Sequence, residues 1–344
     1  MNWKETLLWP LTLPYGGVTH LRARAYRTGI LRQRRLDGVV VSVGNLTAGG
    51  TGKTPMVLWI AERLIAEGKR AAILSRGYRG KPASGDTAKD STAGSSDEVR
   101  LMQARLGDRV AFGVGANRLS RGRALAKEGI GWFVLDDGFQ HLQLARDVDI
   151  VLIDAMKPFG GGHLLPAGRL REGRAALGRA DIIVITRSLY APAVEAALRR
   201  DSDAPVFYAR PQLESIREVS GEYPGAALDS PQGRNFFAFC GVGNPASFLE
   251  SLRDWKLTVA AHRFFPDHHR YTRDEVDSIQ TEAASAGADA LICTEKDRFN
   301  LSGLAWRLRA PAYCRISLTI DRADEFWRTV MAKAEFSRRA RQNA

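Results

Sequence analysis

Only three cysteines occur among the 344 residues, and no metal-ligand spacing joins them. Cys240, Cys293 and Cys314 each sit inside an apolar run. That excludes a disulfide framework and a cysteine-based zinc site, and reads as reduced core thiols in a cytosolic compartment. Long apolar runs are missing as well: none reaches the ~20 residues that a spanning helix needs. The nearest stretch, Leu7 to Val18, is interrupted by Pro10, Pro14, Gly16 and Gly17. No small-residue cleavage site follows it, so it makes a poor signal peptide. No solenoid-type repeat appears. Acidic residues are scarce at the start of the chain, where Lys4, Arg22, Arg24, Arg27, Arg32, Arg34 and Arg35 face Glu5 alone. Residues 1–36 therefore carry net +6, half of the chain's +12. A basic balance of this size suits an anionic partner: nucleic acid, acidic membrane or phosphorylated substrate.

In the same segment Trp3, Leu7, Leu8, Trp9, Leu11, Leu13 and Tyr15 precede the arginines. Aromatic and leucine side chains beside arginines suit the membrane–water interface, where arginines meet anionic lipid. The competing reading is an arm packed on the protein's own body. Residues 1–36 are thus expected to form a basic, aromatic, membrane-associating segment.

Glycine, by contrast, is placed with purpose. Val39–Val43 reads as a buried strand and is followed by Gly44-Asn45-Leu46-Thr47-Ala48-Gly49-Gly50-Thr51-Gly52-Lys53-Thr54. Closely spaced glycines let the backbone curl so that successive N–H groups aim at one anion. A helix opening at Lys53 adds its free N–H groups and the positive end of its dipole. This is a P-loop, with Thr47 where the usual pattern has its first glycine. Thr47, Ala48, Gly49, Gly50, Thr51, Gly52, Lys53 and Thr54 are expected to cradle ATP phosphates, with Lys53 on the terminal ones and the Thr54 hydroxyl on Mg²⁺.

Strand and helix signals alternate along the rest of the chain, which predicts an α/β fold. The expected architecture is a P-loop NTPase-like, mostly parallel sheet with helices on both faces and ligand at the strand carboxyl ends. A core over 37–210 is expected to end in a last strand at Val206–Ala209. A polar crossover follows over 211–234, then a smaller α/β lobe over 235–336, and a frayed basic tail over 337–344. Lys81 to Ser96 reads as a surface loop leading to a helix over Val99–Leu106. The strand Trp132–Leu135 runs into Asp136-Asp137-Gly138-Phe139-Gln140-His141. An acidic residue at that point is where a P-loop protein keeps its Mg²⁺-organising carboxylate. Asp136 and Asp137 are preferred over Asp154, which ends the strand Val148–Ile153, because the flanking Gln140 and His141 add polar chemistry. Arg169 and Arg171, after a glycine- and proline-rich stretch, suit a substrate phosphate.

Mg²⁺–NTP chemistry alone leaves two readings: a small-molecule or lipid kinase, or a nucleotide switch that binds a protein or membrane partner. The switch reading is weakened at two points. Ala48 stands where dimeric ATPases of this kind carry an extra lysine, and Thr294-Glu295-Lys296-Asp297 has the letters of a guanine motif in the wrong order.

The ordered blocks decide further. These are the P-loop through Pro55, Ser75-Arg76-Gly77-Tyr78, Asp97-Glu98, Asp136 to His141, and Leu165-Pro166-Ala167-Gly168 with Leu170-Arg171-Glu172. Gly243-Asn244-Pro245, Asp267-His268 and Thr294 to Asp297 complete the series. Together, over nearly the whole chain, they resemble the tetraacyldisaccharide 4'-kinase family of lipid A synthesis. The resemblance implies transfer of the ATP γ-phosphate to the 4'-hydroxyl of a tetraacylated glucosamine disaccharide 1-phosphate, at the cytoplasmic face of the inner membrane. It implies no nucleic-acid partner and no obligate protein partner. It gives Asp97, assisted by His268 or the adjacent His269, as acceptor of the sugar hydroxyl proton. From the residues alone Asp97 would be a helix cap. Gln140, His141, Arg171 and Glu172 follow as candidate substrate contacts, and Thr54 with Asp136 or Asp137 as candidate metal ligands.

Overall fold

The computed structural model describes residues 7–77, 96–219, 223–301, 303–307 and 310–343. Trp3, Tyr78 and most of the expected loop Lys81 to Ser96 lie outside them. The first helix, α1 (Thr12–Arg27), precedes β1 (Val39–Asn45), α2 (Lys53–Ala66), β2 (Ala71–Ser75) and α3 (Asp97–Leu106). Next come β3 (Ala111–Val114), α4 (Arg118–Lys127), β4 (Trp132–Asp136), β5 (Val148–Asp154), β6 (Ile182–Thr186), α5 (Pro192–Leu198) and β7 (Val206–Glu218). The chain continues through β8 (Asn235–Cys240), α6 (Pro245–Asp254), β9 (Thr258–Phe264), α7 (Arg273–Ser285), β10 (Ala290–Thr294), α8 (Glu295–Leu301), β11 (Ala312–Ile320) and α9 (Ala323–Gln342).

Among the described residues these strands form one sheet in the order β3-β2-β4-β1-β5-β6-β7-β11-β10-β8-β9. Every neighbouring pair is parallel except β7 with β11. The central strands are buried end to end, as a sheet covered on both faces requires. Alternation then sorts β1 between layers. Val39, Val41 and Val43 pack with Met56, Ile60 and Leu64 of α2 and with Phe326 of α9. Val40 joins Leu119 and Leu125 of α4 on the opposite face. In the second half Phe237 and Phe239 meet α7, while Phe236, Ala238 and Cys240 meet α6. All three cysteines are free and buried.

The antiparallel pair shapes the molecule. β6 reaches only Val206–Ala209 of β7, and β10 reaches only Ala312–Cys314 of β11. Between those contacts Ala209–Glu218 runs against Ala312–Ile320, with a register shift at Arg315/Ile316. This ribbon sets the second half beyond the carboxyl edge of the first and reverses its strand direction. The carboxyl ends of β8 and β10 thereby turn back toward those of β1, β4 and β6.

Three expectations change. The strand expected to stop at Ala209 continues to Glu218, because Leu213 and Ile216 pack into the second half's core while Arg210, Gln212 and Glu214 face outward. That alternating pattern is masked by charge. The helix at the C-terminus runs through Gln342 instead of fraying from Ser337, held by Ser337 and Arg341 on the Asp147 carboxylate. A helix absent from the sequence reading, α8, follows β10 at once.

Candidate active site

A cavity of about 450 Å³ opens between the two halves. Its floor is Gly49 to Thr54, and Asp136, Asp137, Thr186 and Arg187 stand at the ends of neighbouring strands. Gly243, Asn244, Asp267, His268 and Lys296 close it from the second half. The P-loop turn needs its glycines at two points of positive φ, Gly49 at 121° and Gly52 at 84°. A Cβ on Gly49 would also lie 2.2 Å from Arg169 Nη2. Arg169 Nε donates to the Ala48 carbonyl at 2.9 Å, so this arginine braces the loop from outside. Thr47 and Ala48 lead into the loop without lining the cavity. The buried Thr51 Oγ1 has no hydrogen-bond partner among the described residues, an orphan that a phosphate oxygen would satisfy.

Lys53 Nζ donates to Asn45 Oδ1 at 3.2 Å and lies 3.6 Å from Asp137 Oδ1. Arg171 Nη1 donates to both Asp137 oxygens at 2.8 Å. Burial works against the Asp137 charge, but Lys53 and Arg171 outweigh it and hold the carboxyl below the usual range. Asp136 is the opposite case. Burial, with the nearby Glu98 and Asp137 charges, pushes it up to about 6, and Ser75 Oγ donates to it at 3.0 Å. Adjacent carboxylates pushed in opposite directions are a mark of functional sites. Among the described residues no three His, Cys, Asp or Glu side chains gather as a metal cage. Two carboxylates and the Thr54 hydroxyl nonetheless suit Mg²⁺, which takes few protein oxygens and completes its shell with water and phosphate.

Ser96 caps α3 through Val99 N and so sets Asp97 and Glu98 on the first turn, at the cleft. His268 Nδ1 lies 3.1 Å from Asp97 Oδ2. Burial would raise Asp97, yet the His268 and Asn300 hydrogen bonds and the Arg100 charge hold it low. The bond to Asp97 in turn raises His268 against the effect of burial. His269 turns away, with Nε2 3.0 Å from Glu275 Oε2 and its ring stacked on Phe265. Lys296 Nζ donates to Glu98 Oε1 at 2.6 Å.

Of the other expected substrate contacts, only Arg171 lines the cavity. Gln140 stands behind it and donates to the Asn45 carbonyl at 3.0 Å. Glu172 is buried and takes a 2.9 Å bond from Arg179. His141 Nε2 is buried without a partner among the described residues, and burial together with Arg118, Arg146, Arg22 and Arg76 depresses it to about 4. Asp154 faces Arg187 at 3.3 Å. Tyr15 of α1 donates to the Arg171 carbonyl at 3.1 Å, which ties the N-terminal helix to the rim.

Sequence reasoning passed over Arg187 and Asn300, and quoted Ser75 and Lys296 within the family blocks without giving them a role. For Lys296 and Asn300 a signal existed. Thr294 and Asp297 cap α8 reciprocally, with Thr294 Oγ1 2.5 Å from Asp297 Oδ2 and Asp297 N 3.4 Å from Thr294 Oγ1. Threonine with an acid three residues on is a helix-start pattern. Nothing local marks Arg187, which takes a φ of 67° and reaches the Gly50 carbonyl at 3.2 Å.

Comparisons with known proteins give the family. The family model described as tetraacyldisaccharide-1-P 4'-kinase matches residues 4–335. A tetraacyldisaccharide 4'-kinase from Geobacter metallireducens is 41% identical over 315 residues, covering 88% of this chain and 90% of that one. One from Pelobacter propionicus is 39% identical over 310 residues, covering 87% and 84%. The crystal structure of the "apo" form of LpxK from Aquifex aeolicus in complex with ATP superposes with a TM-score of 0.72 at 27% identity, over 96% of this chain and 99% of that one. On a likeness that runs nearly end to end, this chain belongs to the tetraacyldisaccharide-1-P 4'-kinase family.

Proposed function

We infer that the protein transfers the γ-phosphate of ATP to the 4'-hydroxyl of a tetraacylated glucosamine disaccharide 1-phosphate, a late step of lipid A synthesis. The observation that carries this reading is the cavity that Lys53 and His268 line from opposite halves, with Asp97, itself outside that lining, 3.1 Å from His268 Nδ1. Family membership supplies the acceptor; the geometry supports the roles given below.

Amides from Gly49 to Thr54 and the Lys53 ammonium hold the phosphates. Thr54 with Asp136 or Asp137 would hold Mg²⁺, whose charge neutralises the phosphate oxygens. Asp97 accepts the proton of the sugar hydroxyl, and His268 keeps its carboxylate charged and aimed. A loose phosphoryl-transfer transition state asks mainly for such orientation of the nucleophile. Arg171 reaches the acceptor from the rim. Gln140 and Glu172 support the wall behind it, and His141 with its surrounding arginines favours an anionic headgroup. Residues 37–210 and 235–336 act as two lobes joined through 211–234.

The N-terminal segment serves the membrane. Leu7, Trp9, Leu11, Leu13, Val18 and Leu21 are exposed, and Arg22, Arg24 and Arg27 follow them. Among the described residues no helix is long and apolar enough to cross a bilayer. The exposed apolar side chains and the arginines after them support contact with the cytoplasmic side of the inner membrane, where the acceptor's acyl chains reside. Tyr15 links that contact to Arg171.

A radiolabelled-ATP assay with the acylated disaccharide 1-phosphate tests the reading, with water and unacylated sugar as controls. Label should appear on the acylated acceptor. Label released to water at the same rate without it would instead indicate a nucleotide switch.

A further inference from the structure

The Thr294–Asp297 block has no role in the chemistry above, yet the side chains of α8 reach every part of the base. Asn300 Nδ2 donates to Asp97 Oδ2 at 3.0 Å, the same oxygen that faces His268. Asp97 Oδ1 takes no hydrogen bond among the described residues. One carboxylate oxygen is thus held by two donors. Lys296 holds the neighbouring Glu98, and Glu295 pairs with Arg105 at the far end of α3. Asp297 turns the other way. Its Oδ1 accepts from Gly241 N and from Tyr271 Oη, both at 2.8 Å, and the Gly241 carbonyl accepts from His268 N at 3.1 Å. His268 itself sits at a φ of 60°, a conformation that needs such outside support.

We propose that α8 is the positioning element of the base: Asn300 aims the Asp97 carboxylate, while Asp297 fixes the turn that carries His268. Asn300 acts through Asp97, so this inference rests on Asp97 being the proton acceptor. The base is complete only when the second half of the molecule lies on α3, because among the described residues both hydrogen-bond partners of the Asp97 carboxylate, His268 and Asn300, come from that half.

Initial rates with ATP and the acylated disaccharide 1-phosphate test this in Asn300→Leu, Asn300→Asp, Asp97→Ala and the Asp97→Ala/Asn300→Leu double variant. Asn300→Leu should lower kcat roughly 10- to 100-fold, the loss of one hydrogen bond to a charged group, with KM for ATP unchanged. Asn300→Asp keeps the shape and should lose at least as much, so it carries the test if the leucine variant fails to bind ATP. In the Asp97→Ala background the Asn300 substitution should cost nothing further. Losses that multiply in the double variant, or unchanged kcat in both Asn300 variants, overturn the proposal. Wild-type turnover in Asp97→Ala overturns the base assignment itself, and the proposal with it.

Discussion

The Lys53 ammonium and the Asp137 carboxylate face each other at 3.6 Å across the mouth of the P-loop. Arg171 holds the same carboxylate from the other side at 2.8 Å. Asp137 therefore stays paired when Lys53 is removed, and the fold should survive the change. Lys53→Ala is expected to lower transfer to the acylated acceptor by roughly 100-fold or more, as loss of a fixed positive group at a transferring phosphoryl does. The thermal midpoint without nucleotide should move little. Near-normal turnover would remove Lys53 from the phosphate site.

Asp136 gives a prediction about pH. Its folded-state value is raised to about 6 from an unfolded value of 3.8, so the folded state holds a proton that the unfolded state has already lost. Between those values stability falls as pH rises, and the deficit persists above them. Asp136→Asn should therefore be more stable than wild type at pH 8, by on the order of 3 kcal/mol for a shift of this size. The two should converge below about pH 4, where both carry a neutral side chain. Activity should be lost. Thermal melts across that range check the sign; a less stable variant at pH 8 would show that the buried charge is compensated.

Much of this was legible from residues alone, and the reasons are local. The P-loop declares itself because curled backbone demands glycine, and the buried strands because parallel pairing demands unbroken apolar runs. Asp136 and Asp137 stand out because acid ends an apolar strand. Asp97 was different: read from the residues as a helix cap, it showed no other role, yet Ser96 is the cap, and only the partners of Asp97 from β9 onward, His268 and Asn300, give it one. Those contacts span 171 and 203 residues, beyond the reach of any periodicity. The long β7 was missed because Arg210, Gln212, Glu214 and Arg217 read as loop, although one face of the ribbon is covered. Left-handed backbone at Arg187 has no signature in residue type, and at Asp137 and His268 only the weak enrichment of Asp and His in that region.

The N-terminal helix offers a test at the membrane. Val18 and Leu21 are three residues apart, so they share a helix face, and both are about two-thirds exposed at 65%. Tyr15 meanwhile contacts the protein body through Arg171. Leu13→Glu, Val18→Glu and Leu21→Glu together should leave the fold and its Tyr15 contact in place while reducing cosedimentation with anionic vesicles several-fold. Each buried apolar side chain replaced removes a favourable transfer term, and each added acid repels the headgroups. Activity on acceptor presented in vesicles should fall more than ATP binding does. Unchanged cosedimentation would assign the exposed side chains to another surface.

Gly44 tests whether the strand that feeds the P-loop and the Asp136–His141 turn must touch. A Cβ at Gly44 would lie 2.5 Å from Phe139 Cβ and 2.6 Å from Phe139 N. Phe139 is fully buried, with the Arg179 guanidinium 4.6 Å from its ring centre, so it has nowhere to move. Gly44→Ala should therefore push the turn off β1 and widen the gap between Lys53 and Asp137. Overpacking of this kind costs about 1–3 kcal/mol, so the thermal midpoint should drop by several degrees and kcat should fall with it. Gly131→Ala is the matched control, since a Cβ there meets nothing within 4 Å. If the two variants behave alike, the contact between β1 and the acidic turn is not what sets the spacing of the site, and the cause must lie in the strand pairing of β1 with β4.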